Sequence, residues 1–392
     1  MKAIQCKVHG LPQTLVLEEA TLPTMESGDV TILVKACGVN FPDVLIIQNK
    51  YQFKPELPFS PGGEVSGEII AVGEKVKHLK VGDRVVALCG WGGFAEQVVV
   101  NARRVFPIPA GMDFINAACT LYTYGTSYHA LKDRAQLKAG DTFLVLGAAG
   151  GVGLAAVELG KVMGATVIAA ASSAEKLAVC KEKGADHLIN YTQEDLRAQI
   201  KKITGEKGVD VVYDPIGGTL AEAALRSMAW KGRYLVVGFA AGPIPQFPAN
   251  LPLLKGCSIV GVFWGSFAER EPQQSLQNFG QLLTWINEGK IKQHIHRIYP
   301  LEEAAQSLND LMNRKVVGKA VVKVGKWTET PAPAKPIAAK APAPEPVPGK
   351  QVVLQKENIR KHEGQSLGVT QWLTVSQEMI NEFAHATDDH QW

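Results

Sequence analysis

Short apolar runs alternate with amphipathic stretches over residues 142–263. The runs predict buried strands, because they are bounded by glycine, proline or small polar residues, and the stretches between them have helical spacing. The predicted strands are residues 143–146, 166–171, 187–190, 209–214, 233–237 and 258–263, and the predicted helices are residues 151–163, 174–183, 193–204 and 219–229. This alternation predicts a doubly wound parallel α/β sheet.

The residues before this region have a different pattern. Alternating runs at 31–36, 65–72, 84–88 and 94–100 are separated by glycine, proline and aspartate turns, and they predict a β-rich domain. Beyond the α/β region, a helix is predicted at 274–288 and a last strand at 319–324. We expect this last part of the globular region to return to the first domain.

A glycine-rich turn ends the first strand of the α/β region. It places A-x-G-x-x-G at Ala148, Gly150 and Gly153, with Gly151 and Val152 between the glycines, so alanine replaces the first glycine of the usual pattern. Small residues at a helix N-terminus let the backbone approach a pyrophosphate, and the helix dipole favours its charge. The turn alone is equally typical of a strand end without a ligand, but the alternation that follows favours a dinucleotide site.

The end of the second strand indicates which dinucleotide binds. An NAD site usually places an acid there to hold the ribose 2′-hydroxyl, whereas this chain has Ser172. Lys176 can pair with a 2′-phosphate, and Tyr191 can donate a hydrogen bond to it. Lys176 also fits an ordinary exposed helix lysine, and Glu175 is a mild counter-signal. The missing acid favours NADPH.

Composition narrows the classes of function. The chain has 392 residues, 46% hydrophobic and 20% charged, which is typical of a soluble globular protein of two or three domains. The net charge of +3 favours neither a nucleic-acid nor an acidic-lipid partner. No apolar run reaches membrane-spanning length, and the first residues lack a signal-peptide core. Six scattered cysteines without a C-x-x-C motif indicate a reducing compartment, so we expect a cytoplasmic protein.

Several ordered motifs carry a resemblance to a known family. They are GVNFPD at 38–43, PGGEVSG at 61–67, VGDRV at 81–85, GFAE at 93–96, TYGTSYHAL at 123–131 and AAGGVG at 148–153. With them, residues 1–325 resemble the medium-chain dehydrogenase/reductase superfamily in its zinc-free quinone oxidoreductase branch. The resemblance implies a GroES-like domain beside a Rossmann domain, an active site in the cleft between them, and a homodimer.

The resemblance also implies domain boundaries and further cofactor contacts. The expected domains are a GroES-like catalytic domain at 1–125, a Rossmann domain at 126–265 and a return to the catalytic domain at 266–325. Thr126 and the loop at Gly238 and Phe239 are expected to flank the nicotinamide. Phe263 and Gly265, on either side of a tryptophan, are expected to close the cleft.

Two positions bear on metal chemistry. Zinc alcohol dehydrogenases of the superfamily have a cysteine where Asn40 stands and a histidine where Gly63 stands, and neither residue is a credible zinc ligand. We therefore expect no zinc. Without a Lewis acid, alcohol–ketone interconversion is disfavoured, and hydride transfer to a quinone or a conjugated carbonyl acceptor is favoured.

Tyr51 and Asn40 are the candidate catalytic residues. The segment around Tyr51 resembles that of mitochondrial-type enoyl-thioester reductases, in which the matching tyrosine protonates the substrate carbon. Tyr51 is equally expected to line an aromatic pocket for a quinone ring. Asn40 can donate a hydrogen bond to the developing oxyanion, or simply stabilise the turn before a proline.

The composition changes after residue 325. Residues 326–349 are rich in proline and alanine and predict an exposed linker. Residues 350–392 resemble the start of a MaoC-like (R)-specific enoyl-CoA hydratase domain of hot-dog fold, through Leu367, Gly368, Trp372 and residues 383–392. The histidine that would pair with Asp389 in that family is missing, so we expect a truncated or remnant domain without hydratase activity.

Three functions follow for the whole chain. The motifs of residues 1–325 favour an NADPH-dependent quinone oxidoreductase. The tail places acyl thioesters in the same pathway and so supports a 2-enoyl-CoA reductase as an alternative. A third possibility is an NADPH-binding protein with a structural or regulatory role and little turnover.

Overall fold

Two large β-sheets and a two-stranded ribbon organise the computed structural model, which describes residues 1–109 and 111–328. In chain order the strands are β1 (Lys2–Gln5), β2 (Val16–Glu19), β3 (Asp29–Val39), β4 (Glu64–Val72), β5 (Arg84–Leu88), β6 (Gln97–Asn101), β7 (Val105–Pro107), β8 (Thr142–Leu146), β9 (Thr166–Ala171), β10 (His187–Asn190), β11 (Val209–Asp214), β12 (Met228–Val236), β13 (Ser258–Gly261), β14 (Ile295–Pro300) and β15 (Lys319–Lys323).

The helices lie between these strands. They are α1 (Phe41–Ile46), α2 (Phe114–Ala117), α3 (Thr126–Tyr128), α4 (Gly151–Val162), α5 (Ala174–Glu182), α6 (Leu196–Thr204), α7 (Leu220–Arg226), α8 (Asn250–Lys255), α9 (Trp264–Arg270), α10 (Pro272–Asn287) and α11 (Ala304–Met312). Two π-helical segments, Leu121–Gly125 and His129–Arg134, flank α3. Single 3₁₀ turns are Pro12–Thr14, Ala102–Arg104 and Leu301–Glu303.

The six-stranded sheet has the order β10-β9-β8-β11-β12-β13, and all of its pairs are parallel. The four residues Phe143 to Leu146 of β8 are completely buried. Two separate apolar clusters cover them, because α4 and α5 pack on one face while α6 and α7 pack on the other. The predicted α/β fold with a doubly wound parallel sheet is confirmed.

Element boundaries follow local capping and pairing. β9, β10 and β11 have the predicted bounds. The helix predicted from residue 193 begins at Leu196, because the Asp195 side chain accepts from the Ala198 N–H and caps it. The helix predicted to residue 229 ends at Arg226, and Met228 already pairs with β11. The strand predicted to residue 263 ends at Gly261, where the chain turns towards α9.

The other sheet joins distant parts of the chain. Its order is β14-β15-β3-β4-β5-β7, with β6 also paired to β3. β15 runs antiparallel to β3, with Ala320 opposite Val39 and Lys323 opposite Ala36. The late segment that contains β14 and β15 therefore completes the sheet that the first strands begin.

One backbone contact ties β15 to the glycine turn. The Gly318 N–H donates to the Ala149 carbonyl at 2.8 Å, and Gly318 forms a bridge with Gly150. The residue before β15 therefore contacts the turn after β8, and this contact joins the two sheets at the ends of these strands.

No helix in the described ranges is both long and apolar enough to cross a bilayer. The predicted MaoC-like segment and all but the first three residues of the predicted linker lie outside the described residues.

Candidate active site

A cavity of about 2040 Å³ opens at the carboxyl ends of β8, β9, β11 and β12, and the β15 sheet forms its other wall. In doubly wound sheets ligands bind at this edge. Thirteen of the fifteen predicted site residues line it: Asn40, Tyr51, Thr126, Gly150, Gly151, Val152, Ser172, Lys176, Tyr191, Gly238, Phe239, Phe263 and Gly265. Ala148 and Gly153 do not line it.

Ala148 and Gly153 shape the glycine turn from behind. Ala148 is fully buried, and its N–H donates to the Ala170 carbonyl at 3.0 Å. A Cβ on Gly153 would lie 2.3 Å from the Gly147 carbonyl oxygen, so glycine lets the helix approach the strand. Gly147 has a φ of 57°, the left-handed conformation, and this explains why alanine is tolerated at the next position.

The first turn of α4 begins at Gly151 and faces the cavity. Backbone N–H groups in the first turn of a helix have no helical acceptors, and the dipole there favours an anion. A Cβ on Gly151 would lie 3.1 Å from Thr123 and 3.2 Å from the Lys319 side chain, so a larger residue would crowd this opening. The turn therefore fits a pyrophosphate.

A cationic group lies at the end of β9. The Lys176 ammonium donates to the Ser172 hydroxyl at 3.3 Å and to the Arg314 carbonyl at 2.9 Å. Burial and the nearby Arg314 charge lower the pKa of Lys176. Tyr191 and Arg314 also line the cavity here. Glu175 does not line it, and its carboxylate accepts from Ser173 instead. The two neighbouring positive charges of Lys176 and Arg314 suit a phosphate monoester.

Asn40 lies in a buried polar network. Its Nδ2 donates to the Gly38 carbonyl at 3.1 Å and to Glu64 Oε2 at 3.2 Å, while its Oδ1 accepts from the Lys319 ammonium at 2.6 Å. An amide nitrogen has two hydrogens. A hydrogen bond from Asn40 to a substrate would therefore require one of these contacts to break.

Two carboxylates share this network with Lys319. Glu64 is fully buried and lies 3.8 Å from the Lys319 ammonium, which also donates to the Val39 carbonyl at 3.0 Å. Burial raises the pKa of Glu64. Asp43 accepts from the Asn40 and Gly62 N–H groups, yet burial raises its pKa to about 7. Lys319 is the positive charge that these acids face.

Tyr51 lines the cavity beside Phe53, with their ring centroids 5.8 Å apart. Burial raises the pKa of Tyr51, and the neighbouring Asp43 charge raises it further. Its hydroxyl therefore keeps its proton at neutral pH, as both the acid and the pocket-lining interpretations require.

Tyr122 is a cavity residue that the sequence did not indicate. It lies in the π-helical segment Leu121–Gly125, a kind of distortion that is frequent at functional sites. Its hydroxyl oxygen is 3.0 Å from the position that a Cβ on Gly63 would occupy. Its ring lies 5.8 Å from that of Trp264, whose indole in turn leaves no room for a side chain on Gly125.

The described residues contain no group of three or more His, Cys, Asp or Glu side chains placed to hold a metal ion. At the two positions discussed for zinc, Asn40 is committed to its polar network and Gly63 faces the Tyr122 hydroxyl.

Sequence reasoning missed Tyr122, Lys319 and Arg314. The only signal for Lys319 was a lysine that begins an apolar run, whereas Tyr122 and Arg314 have no local pattern. Their positions depend on contacts between distant parts of the chain.

Comparison with known proteins agrees with this geometry. Residues 26–110 match the alcohol dehydrogenase GroES-like domain, and residues 151–283 match the family described as zinc-binding dehydrogenase. Quinone oxidoreductase-like protein 2 homolog of Nematostella vectensis is 40% identical over 325 residues, which cover 82% of this chain and 88% of that protein.

Two solved structures are also similar. Escherichia coli quinone oxidoreductase complexed with NADPH has a TM-score of 0.77 and 29% identity, over 82% of this chain and 100% of that chain. CurK enoyl reductase has a TM-score of 0.75 and 27% identity, over 83% of this chain and 99% of that chain.

Proposed function

The chain belongs to the quinone oxidoreductase branch of the medium-chain dehydrogenase/reductase superfamily, and on that premise we propose that it is an NADPH-dependent oxidoreductase that reduces a quinone or another conjugated carbonyl acceptor. One observation carries the proposal: a single cavity joins the glycine turn, the Lys176 cation site and an aromatic pocket around Tyr51.

The residues present fit NADPH. The first turn of α4 would hold the pyrophosphate, and Lys176 with Arg314 would hold the 2′-phosphate, with Ser172 and Tyr191 beside them. Thr126, Gly238 and Phe239 line the part of the cavity proposed for the nicotinamide, and Phe263 and Gly265 line its opening. The similar structure from Escherichia coli is described as complexed with NADPH.

Zinc independence is part of the proposal. An amide held in three hydrogen bonds at Asn40 and a glycine at position 63 offer no ligands at the two positions that the resemblance assigns to zinc. The acceptor must then be electron-poor enough to take a hydride without metal polarisation.

Bound NADPH supplies the hydride. The acceptor gains it at carbon, its π electron pair moves onto the carbonyl oxygen, and a proton from solvent or from a side chain neutralises the product. With a quinone, a proton then moves from that carbon to solvent while the second carbonyl oxygen is protonated, which gives the hydroquinone. The protein orients the acceptor against Tyr51 and Phe53 and excludes water with Phe263 and Trp264.

A 2-enoyl-CoA reductase is the second candidate. Here Tyr51 would donate its proton to the substrate carbon, and the retained proton on its hydroxyl supports this role. The similarity to CurK enoyl reductase and the predicted MaoC-like segment favour it. The third candidate, an NADPH-binding protein with little turnover, shares the same cofactor site.

We propose a homodimer through the edge of the six-stranded sheet. β13 is an edge strand, and the apolar residues Ile259, Trp230, Leu253 and Leu254 around it are 39%, 68%, 78% and 68% exposed. Exposed edges and apolar patches favour association with a second copy. A mass of twice 42.2 kDa by light scattering would support the dimer, and a mass of 42.2 kDa would contradict it.

We also propose a cytoplasmic location. All six cysteines are free thiols, five of them buried, as expected for a protein of a reducing compartment. Fractionation of cells that express the full chain tests this location directly.

The function itself is tested by NADPH consumption with a simple quinone and, in parallel, with a short 2-enoyl-CoA. Turnover of the quinone alone supports the quinone oxidoreductase. Faster turnover of the enoyl-CoA supports the thioester reductase. NADPH binding without turnover of either acceptor supports the structural or regulatory role.

A further inference from the structure

We propose that Tyr122 is a catalytic residue whose hydroxyl donates a hydrogen bond to the acceptor oxygen that becomes negative during reduction. The inference rests on the proposed function, because it assumes that a carbonyl acceptor is reduced in this cavity.

The backbone of Tyr122 is fixed by a buried carboxylate. Glu64 Oε1 accepts from the Leu121 N–H at 2.6 Å and from the Tyr122 N–H at 3.2 Å. Trp264 packs against the ring of Tyr122 and closes over Gly125, at the end of the same π-helical segment. The ring therefore has little freedom, and its hydroxyl is held at one place on the cavity wall.

The hydroxyl of Tyr122 differs from those of most buried tyrosines in the described ranges, since only Tyr128, which lies outside the cavity, also lacks a hydrogen-bond partner for its hydroxyl. Four of them have hydrogen-bond partners in the protein: Tyr124 with Glu158, Tyr213 with Ser127, Tyr234 with Asp214 and Tyr299 with Asp310. The Tyr122 hydroxyl has no hydrogen-bond partner among residues 1–109 and 111–328. In that part of the chain, Nδ1 of His9 is the one solvent-inaccessible polar side-chain atom without a hydrogen-bond partner. Because the Tyr122 oxygen also has no partner, it must be accessible, and it is reached from the cavity that Tyr122 lines.

Gly63 makes room for this hydroxyl. A Cβ at that position would lie 3.0 Å from the tyrosine oxygen, a distance that would force one of the two groups to move. At the two positions where related zinc enzymes have metal ligands, this chain has Asn40, whose amide has fixed partners, and Gly63, which faces the Tyr122 hydroxyl. Asn40 cannot take the donor role while both of its hydrogens are used, whereas the Tyr122 hydroxyl is not committed to any protein partner.

Tyr122 acts as a donor and retains its proton. Burial raises the pKa of its hydroxyl well above the usual value, and the charges of Asp43 and of an ionised Tyr51 would raise it further. Loss of the proton would place a negative charge in this buried site. A neutral donor that is already oriented costs no reorganisation when charge appears on the acceptor.

The reaction balances with this role. Bound NADPH would supply a hydride, which is one proton with two electrons. A C–H bond forms at the electron-poor carbon, and the displaced π pair becomes a lone pair on the acceptor oxygen. The Tyr122 O–H shares its hydrogen with that oxygen while charge develops. In the enoyl case, a proton from Tyr51 onto carbon gives the neutral product. With a quinone, a proton from water is added to the oxygen, and the carbon that gained the hydride then loses a proton while the second carbonyl oxygen is protonated, which gives the hydroquinone. The oxidised cofactor is NADP⁺ in both cases.

The test compares Tyr122→Phe with Tyr128→Phe, using 1,4-benzoquinone as the acceptor. Both variants lose one hydroxyl, but Tyr128 does not line the cavity. We expect Tyr122→Phe to lower kcat about 100-fold, the loss typical of one oxyanion donor, and Tyr128→Phe to retain wild-type kcat. The dissociation constant of NADPH, measured by fluorescence titration, should stay unchanged in both.

A second readout separates chemistry from structure. With NADPH deuterated at the transferred position, the isotope effect on kcat should rise in Tyr122→Phe, because hydride transfer becomes rate-limiting. Equal kcat in both variants, or a loss explained by weaker NADPH binding or a lower melting temperature, would overturn the inference. A wild-type chain that reduces no acceptor overturns the proposed function and this inference with it, whereas normal wild-type turnover with an unaffected Tyr122→Phe overturns the inference alone.

Gly63→Ala provides an independent variant. The added methyl group displaces the Tyr122 hydroxyl, so we expect a loss of kcat in the wild-type background. In the Tyr122→Phe background the same change should cost much less, because the displaced group is already gone. Equal losses in the two backgrounds would contradict the role of Tyr122, since the methyl group also approaches the Gly90 carbonyl at 2.9 Å.

Discussion

Lys319 holds the side chain of Asn40 in place through a 2.6 Å hydrogen bond from its ammonium group to Oδ1. The same ammonium faces Glu64, and both residues are buried. This contact joins the beginning of β15 to the residue that precedes α1, and it places a positive charge beside two acids in the cavity wall.

Replacement of Lys319 by methionine should lower the free energy of unfolding by about 3–5 kcal/mol, because Glu64 would be left as an uncompensated buried charge. Chemical denaturation measures this change. Lys201→Met, at an exposed ion pair with Glu206, should change stability by less than about 1 kcal/mol. The inferred coupling would be wrong if Lys319→Met destabilised a Glu64→Gln protein as much as it destabilises the wild type.

Asp43 should make stability depend on pH. The pKa of Asp43 in the folded protein, about 7, lies above the usual value for an aspartate. Folding therefore favours the protonated carboxyl, and the stability that protonated Asp43 contributes is lost as the pH rises from about 4 through 7. Relative to wild type, Asp43→Asn should therefore gain stability with rising pH, by up to about 4 kcal/mol between pH 4 and pH 8. Denaturation of both proteins at these two pH values gives the difference directly, and a constant difference would contradict the raised pKa.

Lys176→Ala and Arg314→Ala should each weaken NADPH binding about tenfold and leave NADH binding nearly unchanged. Each removes a charge-assisted contact worth about 1.5–3 kcal/mol to the 2′-phosphate, which NADH lacks. Fluorescence titration with both nucleotides measures the effect. Lys181→Ala, on the same helix α5 but outside the cavity, is the control. Equal losses for the two nucleotides would exclude the assigned role.

Tyr51→Phe separates the two candidate reactions. If its hydroxyl protonates the substrate carbon, kcat for a 2-enoyl-CoA should fall about 100-fold, while quinone reduction changes little, because the quinone oxygen can take its proton from water. Steady-state kinetics with both acceptors provides the measurement. Unchanged rates with both would leave Tyr51 as part of the pocket wall.

Gly153→Ala should destabilise the protein and abolish NADPH binding, since the new Cβ would lie 2.3 Å from the Gly147 carbonyl oxygen and push α4 away from β8. Gly280→Ala is the matched control. Position 280 is exposed inside α10 with no atom within 4 Å of the added Cβ, so this change should stabilise the protein by about 0.5–1 kcal/mol. Thermal denaturation and nucleotide titration of both variants test the pair.

The sequence predicts the α/β region well because its signals are local. Apolar runs, glycine turns and side-chain caps act over a few residues, and three strands, β9, β10 and β11, have their predicted bounds. Errors occur at the ends of elements, such as the strand end at Gly261 and two helix ends. At the helix ends, Asp195 as a cap and the pairing of Met228 with β11 overrule helical periodicity.

The site was only partly predictable for the same reason. Residues on the glycine turn and at strand ends could be located from the topology of a parallel sheet. Tyr122, Lys319 and Arg314 reach the cavity through contacts that join distant segments, such as the Lys176 ammonium with the Arg314 carbonyl. No local pattern in one chain encodes such a contact.

The pairing of β15 with β3 also imposes an order on biosynthesis. As the chain leaves the ribosome, β3 is made early, whereas its partner follows nearly three hundred residues later. Until then, β3 is paired with β6 over Asp29–Leu33, but Ala36–Val39 has no partner on that side, and the part of the wall that carries Lys319 does not exist. The six-stranded sheet can form first, but the cavity between the two sheets is the last part of the described chain to assemble. A nascent chain halted before β15 would thus hold the glycine turn but lack the part of the cavity wall that Gly318 and Lys319 form.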